Sequence, residues 1–367
     1  MTDREAYVAF NLTEHVGAVK VAALTAEYGS VAAAWGAYPK KISRTGGAVE
    51  WEAEFERAEK FGVAIVTPAD SGYPPDLASA PGHPLVLYVK GDVKALAKPS
   101  VALIGTRRAT PYGLDQAYRF AHDLAEDGWA VISGLALGID AEAHRGALSA
   151  HGVTVGVIGS GLDRFYPEEN RALAREMVEK GGAVVSEFPF GREPDTQTFP
   201  QRNHVVAALA KGVVAVEAPV KSGTLITTGI AADLGRTVMA VPGRVDSRSS
   251  CGCLRLIRDG ARLVRNARDV EEELGNLFSP AEPGKPRGRA KVAAADGRSS
   301  AEAVEPPFTV EEAIVMREID AEGVAVDELI RRTGLSAGKV NALVMTLRLK
   351  GRVRFFPGNR VALPRAD

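Results

Sequence analysis

Cysteine is almost absent from the sequence, which carries only Cys251 and Cys253 among 367 residues. A single residue separates the two thiols, which is too few for a comfortable disulfide, and no second Cys/His pair completes a zinc site. A disulfide framework and a structural metal site are therefore not expected. Because free cysteines suit a reducing compartment, we expect the protein in the cytoplasm.

Long apolar runs and an excess of charge of one sign are also missing. No apolar segment is long enough to span a membrane, and the opening residues MTDREAYVAF contain no signal-peptide core. The formal net charge is -1, so a polyanionic partner has to be met by a local basic patch rather than by bulk charge. Because no apolar segment is long enough to span a bilayer, we expect no membrane contact.

Short β-branched runs alternate with stretches of helical length from about Phe61 onward. The runs include VALIG, AVISG, GVVAVEA and TVMAVPG, and stretches such as YGLDQAYRFAHDLAEDG lie between them. This alternation implies right-handed βαβ crossovers and a mainly parallel sheet with helices on both faces. The sequence therefore predicts the α/β class, with a Rossmann-like domain over residues 63–278.

Two smaller modules flank the predicted Rossmann-like domain. Residues 1–62 have apolar residues at helical spacing, with Gly17 and Gly29 as breaks, and predict a small helical domain of the SAM or helix-hairpin-helix kind. Residues 279–307 are rich in Pro, Gly, Ala and charge, which is typical of a flexible linker. Residues 308–367 follow a winged helix-turn-helix pattern.

The charged residues from Lys339 through Arg354 are all basic. This stretch of the predicted winged helix fits contact with a DNA backbone. Winged helices also serve as protein-interaction modules, and the sequence leaves both interpretations open.

The stretch VALIGTRRATPYG joins a buried strand to a helix that begins near Thr110. The loop between them contains Gly105, Thr106, Arg107 and Arg108. Ligands of open α/β sheets bind at the carboxyl ends of the strands, and a helix N-terminus with nearby arginines suits a phosphate. An ordinary loop with solvated arginines is the other interpretation.

A second anion-binding loop is predicted in VEAPVKSGTLIT, where Lys221, Ser222, Gly223 and Thr224 follow another buried strand. A lysine, two hydroxyls and a glycine at a helix N-terminus form a compact nest for an anion. The order of residues is not that of a Walker A loop, so ATP hydrolysis is not implied.

The stretch FPQRNHVVAALA places Phe199 close to Arg202 and Asn203 at the start of a helix. A nucleobase can stack on an exposed phenylalanine while an arginine binds the neighbouring phosphate. The alternative is that Phe199 is a core residue, since phenylalanine is usually buried.

Other motifs predict no catalytic residue. Asp140 and His144 have helical spacing in SGLALGIDAEAHRGAL and are interpreted as a structural pair. The stretch VIGSGLDRFYPEENRAL contains no nucleophile with an adjacent base. An enzyme would need a carboxylate over its substrate, and Glu187 and Glu217 are the candidates near strand ends.

These motifs, together with SEFPFG and AVPG, occur in the order seen in the DNA-processing protein A (DprA/Smf) family of bacterial transformation, which this chain resembles. The resemblance implies a nonenzymatic protein without a cofactor that binds and protects single-stranded DNA and loads the RecA recombinase onto it. It also implies a homodimer formed through the end of the Rossmann-like domain, after Arg244. The family's DNA-binding residues correspond to the predicted loops, here Gly105, Thr106, Arg107, Phe199, Arg202, Asn203, Lys221, Ser222 and Gly223.

Two departures from the family pattern affect the expected DNA track. His204 stands where the family usually has arginine, so a positive charge is lost or becomes pH-dependent. A basic residue that often precedes the phenylalanine is missing from PDTQTFP, and Arg192 or Arg108 can compensate for it.

Two other functions are compatible with the sequence. One is a nucleotide-binding enzyme that hydrolyses N-glycosidic bonds, since related folds do so. The other is a transcription regulator whose winged helix reads duplex DNA.

Overall fold

The computed structural model describes residues 1–39, 42–44, 46–278, 309–319, 323–350, 352–356 and 360–363. One compact unit contains Met1–Ala109 and Gly113–Leu277, and a second contains Thr110–Tyr112 and the described residues from Phe278 onward. The predicted linker 279–307 lies outside the described residues, and the predicted domain boundaries stay predictions. No helix among the described residues has the length and apolar composition that crossing a bilayer requires.

The first unit contains helices α1–α12 and strands β1–β9. The helices are α1 Asp3–Leu12, α2 Ala18–Tyr28, α3 Val31–Ala37, α4 Trp51–Phe61, α5 Pro75–Ala78, α6 Pro111–Glu126, α7 Ile139–Ser149, α8 Arg171–Glu179, α9 Thr198–Leu209, α10 Gly223–Asp233, α11 Cys251–Arg258 and α12 Ala267–Phe278. The strands are β1 Ala64–Val66, β2 Leu87–Gly91, β3 Ser100–Gly105, β4 Ala130–Ser133, β5 Thr154–Val157, β6 Ala183–Ser186, β7 Gly212–Glu217, β8 Thr237–Ala240 and β9 Arg262–Leu263. Two 3-10 helices cover Val93–Ala97 and Glu168–Asn170.

The four N-terminal helices are short, and both predicted glycine breaks lie at the ends of α2. Gly17 is the N-cap of α2, and Gly29 ends that helix with a φ of 85°, a left-handed conformation that favours glycine. Phe10 packs edge-on against Trp35 at 5.1 Å between ring centroids. These helices share a hydrophobic cluster with Tyr88 of β2 and with Phe190, so they pack directly on the sheet.

A nine-stranded sheet forms the centre of the first unit, in the order β1-β2-β6-β5-β4-β3-β7-β8-β9. Strands β3 to β9 pair in parallel, whereas β2 pairs antiparallel with β1 and β6. The predicted α/β class with a mainly parallel sheet is confirmed. Strand β9 was not predicted, because the arginine-rich stretch around Gly260 has no β-branched run.

Helices cover both faces of the sheet because the strands alternate their side chains between two cores. Val101 and Leu103 of β3 join one cluster with residues of α6, α7 and α12. Ala102 and Ile104 join another cluster with residues of α5, α9 and α10. Each fully buried Val or Leu contributes about 1.5–3 kcal/mol, so the two cores stabilise the strand order.

The order of the parallel strands reverses beside β3. Strand β4 pairs with one edge of β3, and β7 pairs with the other. The loops after β3 and β7 therefore diverge at a topological switch point, where open α/β sheets bind their ligands.

The second unit is a small winged helix. It contains α13 Val310–Arg317, β10 Val324–Ala325, α14 Val326–Thr333, α15 Ala337–Leu349, β11 Arg354–Phe356 and β12 Arg360–Ala362. The strands form an antiparallel sheet in the order β10-β12-β11. As the sequence indicates, a glycine turn at Gly334 ends α14, and Ser336 is the N-cap of α15.

The basic stretch of the winged helix is partly neutralised within its own unit. Lys350 donates to the carboxylate of Glu312 at 2.6 Å, and Glu312 is buried. Lys339 pairs with Glu311. Lys350 therefore helps to stabilise the winged helix, and both lysines offer less charge to DNA than the sequence suggests.

Candidate functional site

An open groove of about 510 Å³ lies at the switch point of the sheet. All of the predicted site residues line it: Gly105, Thr106, Arg107, Arg108, Phe199, Arg202, Asn203, Lys221, Ser222, Gly223 and Thr224. The residues come from the loops after β3 and β7 and from the start of α9. Tertiary structure thus brings together three segments that are far apart in the chain.

The β3–α6 loop is held in place by its backbone. Thr106 N–H donates to Glu217 O at 2.8 Å, and Thr106 O accepts from Ile139 N–H at 3.3 Å. A Cβ atom at Gly105 would overlap the side chain of Ile139. Gly105 is therefore required for close packing against α7. The motif suggested another reason for a glycine here, namely that it lets a ligand come close to the backbone.

Arg107 and Arg108 are exposed on this loop and form no ion pair with any carboxylate in the described residues. The guanidinium carbon of Arg107 lies 5.0 Å from the centre of the Phe199 ring, a cation–π arrangement. Thr106 Oγ1 accepts from the backbone N–H of Arg108 at 3.2 Å and thereby shapes the loop.

The β7–α10 loop presents a third cation, Lys221, next to a helix N-terminus. Ser222 is the N-cap of α10, and its Oγ accepts from Thr224 N–H at 3.2 Å. Lys221 is exposed, and the described residues offer its ammonium no carboxylate partner. No neighbouring atom lies within 4 Å of a Cβ built at Gly223, so the backbone there is open to a ligand. The α10 dipole and Lys221 both favour an anion at this point.

Arg202 is buried, and its hydrogen bonds go to protein groups. Its Nη1 donates to Val157 O at 2.9 Å and to Gly134 O, and its Nε donates to Asn203 Oδ1 at 2.9 Å. These hydrogen bonds give Arg202 a structural role, because they join α9 to the segments that contain Gly134 and Val157. Its role as a phosphate ligand stays a prediction.

Asp140 is buried beside Arg202 and accepts from Ala136 N–H at 3.3 Å. Burial raises the pKa of Asp140, and the nearby Arg202 guanidinium opposes that rise. His144 is also buried, with its Nδ1 2.6 Å from Thr154 Oγ1. Asp140 and His144 thus have separate structural partners rather than pairing with each other.

Neither carboxylate that the enzyme hypothesis needs lines the groove. The Glu217 carboxylate lies against Gly113 of α6. Burial raises the pKa of Glu187 to about 7, with Arg44 opposing the rise, and Glu187 is absent from the groove lining. Asp140 is the one carboxyl group among the described lining residues, and Arg202 lies beside it.

The described groove lining also contains no set of metal ligands. It includes a single carboxylate and neither histidine nor cysteine. A group that could hold a metal ion among the described residues, His122, Asp123 and Glu126, lies on α6 and does not line the groove.

The two departures in the predicted DNA track have structural consequences. Burial lowers the pKa of the half-buried His204, so this side chain is neutral at neutral pH. Arg192 pairs with Asp195 and does not line the groove, whereas Arg108 does. Arg108 is therefore the better placed of the two arginines to replace the missing basic residue.

The sequence interpretation missed the contribution of the β4–α7 loop, from which Gly134 and Ala136 line the groove. It also missed Ile226 of α10, which is an exposed apolar side chain in the lining. The glycine-rich turn after β4 was the available signal, but only the strand order shows that this turn opens beside β3.

The family model described as DNA recombination-mediator protein A matches residues 64–275, and the one described as DprA winged helix domain matches residues 299–359. The chain belongs to the DNA recombination-mediator protein A family. The resemblance inferred from the motifs is thereby confirmed.

Relatives of the DNA recombination-mediator protein A family match most of the chain. Protein Smf of Escherichia coli strain K12 is 35% identical over 302 residues, which cover 82% of this chain and 77% of that protein. The crystallised DNA processing protein A of Streptococcus pneumoniae is 32% identical, with a TM-score of 0.62, over 74% of this chain and 98% of that one.

A further structure, of DNA processing protein A from Helicobacter pylori, concerns the single-stranded DNA binding mode of that protein. It is 30% identical to this chain, with a TM-score of 0.53, over 59% of this chain and 97% of that one. The fold of the DNA recombination-mediator protein A family therefore extends to this chain.

Proposed function

We propose that this chain binds single-stranded DNA in the groove at the switch point and loads RecA recombinase onto the bound strand. The observation that carries the proposal is the cluster of exposed cations Arg107, Arg108 and Lys221, none of which has a carboxylate partner in the described residues. Outside the groove, arginines such as Arg171 and Arg265 pair with carboxylates at 2.6 and 2.9 Å. Unpaired cations in one groove are suited to a polyanion.

Phosphates would contact the β3–α6 and β7–α10 loops. Arginine and lysine provide charge there, and the N-terminus of α10 provides backbone N–H groups. Phe199 is half-buried and offers part of its ring to a base. This combination of charge and one aromatic ring holds a single strand without reading its sequence.

The proposed activity is binding rather than catalysis. A glycosidic hydrolase needs a carboxylate poised over the sugar. Among the described residues that line the groove, Asp140 is the one carboxyl group, and it is buried next to Arg202. We therefore favour a nonenzymatic mediator over a nucleotide hydrolase.

The family supports the remaining parts of the proposal. A relative from Helicobacter pylori binds single-stranded DNA, and relatives from Streptococcus pneumoniae and Bacillus subtilis are DNA processing proteins. By extension, we propose protection of single strands, delivery to RecA in the cytoplasm, and a homodimer formed by the residues after Arg244.

The deciding experiment compares binding of labelled oligo-dT with binding of a duplex of equal length. We expect preference for the single strand, and loss of that binding in the double variant Arg107→Ala/Lys221→Ala. The control Arg145→Ala/Lys180→Ala removes one arginine from α7 and one lysine from the C-cap of α8, both exposed and outside the groove, and should bind as the wild type does.

The same variants test loading. Assembly of RecA on oligo-dT should be stimulated by the wild type and by the control, and not by the groove variant. Preference for duplex, or full binding by the groove variant, would refute the assignment of the groove.

A further inference from the structure

A second aromatic side chain lies beside Phe199, in a segment that has no part in the phosphate loops. Tyr166 is 47% exposed, and its ring centroid lies 6.4 Å from that of Phe199 with an angle of 43° between the rings. Leu137, on the β4–α7 loop, is 39% exposed. Exposed large apolar side chains that cluster at a groove indicate a binding surface.

These side chains surround a small cavity of about 30 Å³ that continues the groove. The cavity and the groove share the lining residues Arg107, Gly134, Ala136, Phe199 and Arg202. A volume of this size holds about one water molecule, so a nucleobase cannot enter it. A base can instead lie over the exposed Tyr166 side chain at its mouth.

The segments that carry these side chains are fixed before any ligand arrives. The buried amide of Asn170 donates to Leu135 O at 2.9 Å and to Ala136 O at 3.1 Å. A Cβ at Gly159 would lie 3.3 Å from the Phe199 ring, so the glycine leaves room for that ring. Ordering this surface on binding therefore costs little conformational entropy.

Phe199 alone offers limited stacking area, because the Arg107 guanidinium already lies 5.0 Å from its centroid. Tyr166 adds a second aromatic ring, on a residue that is 47% exposed. An exposed aromatic ring next to phosphate-binding loops matches a nucleobase attached to a bound backbone.

We propose that Tyr166, with Leu137 and Phe199, forms a base-binding subsite in which a nucleobase of single-stranded DNA stacks on the Tyr166 ring. This inference rests on the proposed function of the groove. The subsite tolerates any sequence because every base has a π-face. The proposed subsite also gives the stretch VIGSGLDRFYPEENRAL, in which the sequence predicts no catalytic residue, a role in binding.

The test uses the full chain and two probes with the same number of phosphates, oligo-dT and an abasic oligonucleotide of equal length. Tyr166→Ala should weaken oligo-dT binding by roughly 5- to 150-fold and leave abasic binding unchanged. Tyr166→Phe keeps the ring and should bind both probes as the wild type does. Tyr28→Ala is the matched control, since Tyr28 is 43% exposed on α2 outside the groove.

The outcomes separate the subsite from the groove itself. Unchanged oligo-dT affinity of Tyr166→Ala, or an equal loss on both probes, would overturn the subsite while the groove stands. Failure of the wild type to bind oligo-dT would overturn the proposed function and the subsite together. If Tyr166→Ala melts below the wild type, Tyr166→Leu takes its place in the same comparison.

Discussion

At the scale of single residues, the groove separates two kinds of arginine that look alike in the sequence. Arg107 is exposed and without a carboxylate partner in the described residues, so it is available to a ligand. Arg202 is buried among backbone carbonyls and beside Asp140, so it holds loops together. The two should therefore respond differently to substitution.

Arg202→Ala is expected to destabilise the fold by about 3–5 kcal/mol, because it leaves Asp140 buried without its compensating charge. The free energy of unfolding in urea measures this loss. Arg107→Ala serves as the comparison and should unfold like the wild type while losing affinity for oligo-dT. Equal stability of Arg202→Ala and the wild type would contradict the structural role of Arg202.

We expect the burial of His144 to lower the stability of the folded protein in acid. Burial lowers its pKa to about 3 in the folded protein, against about 6.5 in an unfolded chain. Between these values the unfolded state binds more protons than the folded state. The contribution of His144 to the free energy of unfolding is therefore fully present above pH 6.5 and decreases as the pH falls. At pH 5 the loss from His144 is about 2 kcal/mol.

Urea unfolding of the wild type and of His144→Gln at pH 7 and pH 5 measures this contribution. The variant should lose less stability between the two pH values. The pKa of Glu187 is raised to about 7, so its contribution to the free energy of unfolding increases as the pH falls through the same range. The wild type alone reports the sum of both groups, and the comparison with His144→Gln isolates the contribution of His144. Identical pH dependence in both proteins would show that His144 does not titrate on unfolding.

At the scale of elements, the sequence predicts most of the strands and misses the one that ends the sheet. Runs such as VALIG and GVVAVEA are buried on both sides, and this pattern alone predicts β3 and β7. Strand β9 consists of Arg262 and Leu263, both exposed, and has no such pattern. It forms because its backbone pairs with β8, which is a contact that local sequence does not encode.

The sheet edge formed by β9 lies among the residues after Arg244, and there we place the contact of the proposed homodimer. An edge strand offers unpaired backbone groups to a second copy of a sheet. We expect Leu263→Lys to convert a dimer to a monomer in sedimentation velocity, since it places charge on this edge. Val19→Lys alters another highly exposed apolar side chain, on α2, and should leave the mass unchanged. A monomeric wild type, or a dimeric Leu263→Lys, would rule out this edge.

At the scale of the whole molecule, the chain has nearly balanced charge, with a net charge of -1. Attraction to DNA therefore depends on local clusters of cations that form no ion pair with a carboxylate. If Arg107, Arg108 and Lys221 each neutralise a phosphate, the logarithm of affinity should fall with the logarithm of salt with a slope of roughly -2 per groove. In Arg107→Ala/Lys221→Ala the slope should shrink to roughly -0.7. A titration of oligo-dT binding over a salt series measures both slopes, and equal slopes would place the phosphate contacts elsewhere.

The sequence by itself determined the α/β class, the alternation of strands and helices before β9, and the residue types of the phosphate loops. Those properties depend on local patterns: apolar runs of strand length, helical spacing, and glycine, lysine or arginine directly after a strand. The motif order also determined the family.

Only the tertiary structure decided what each of those residues does. It buried Arg202, made Gly105 a packing residue against Ile139, and paired Lys350 with Glu312. It also placed Tyr166 next to Phe199. These outcomes depend on contacts between segments that are distant in the chain, and such contacts exist only after the sheet has set the order of its strands.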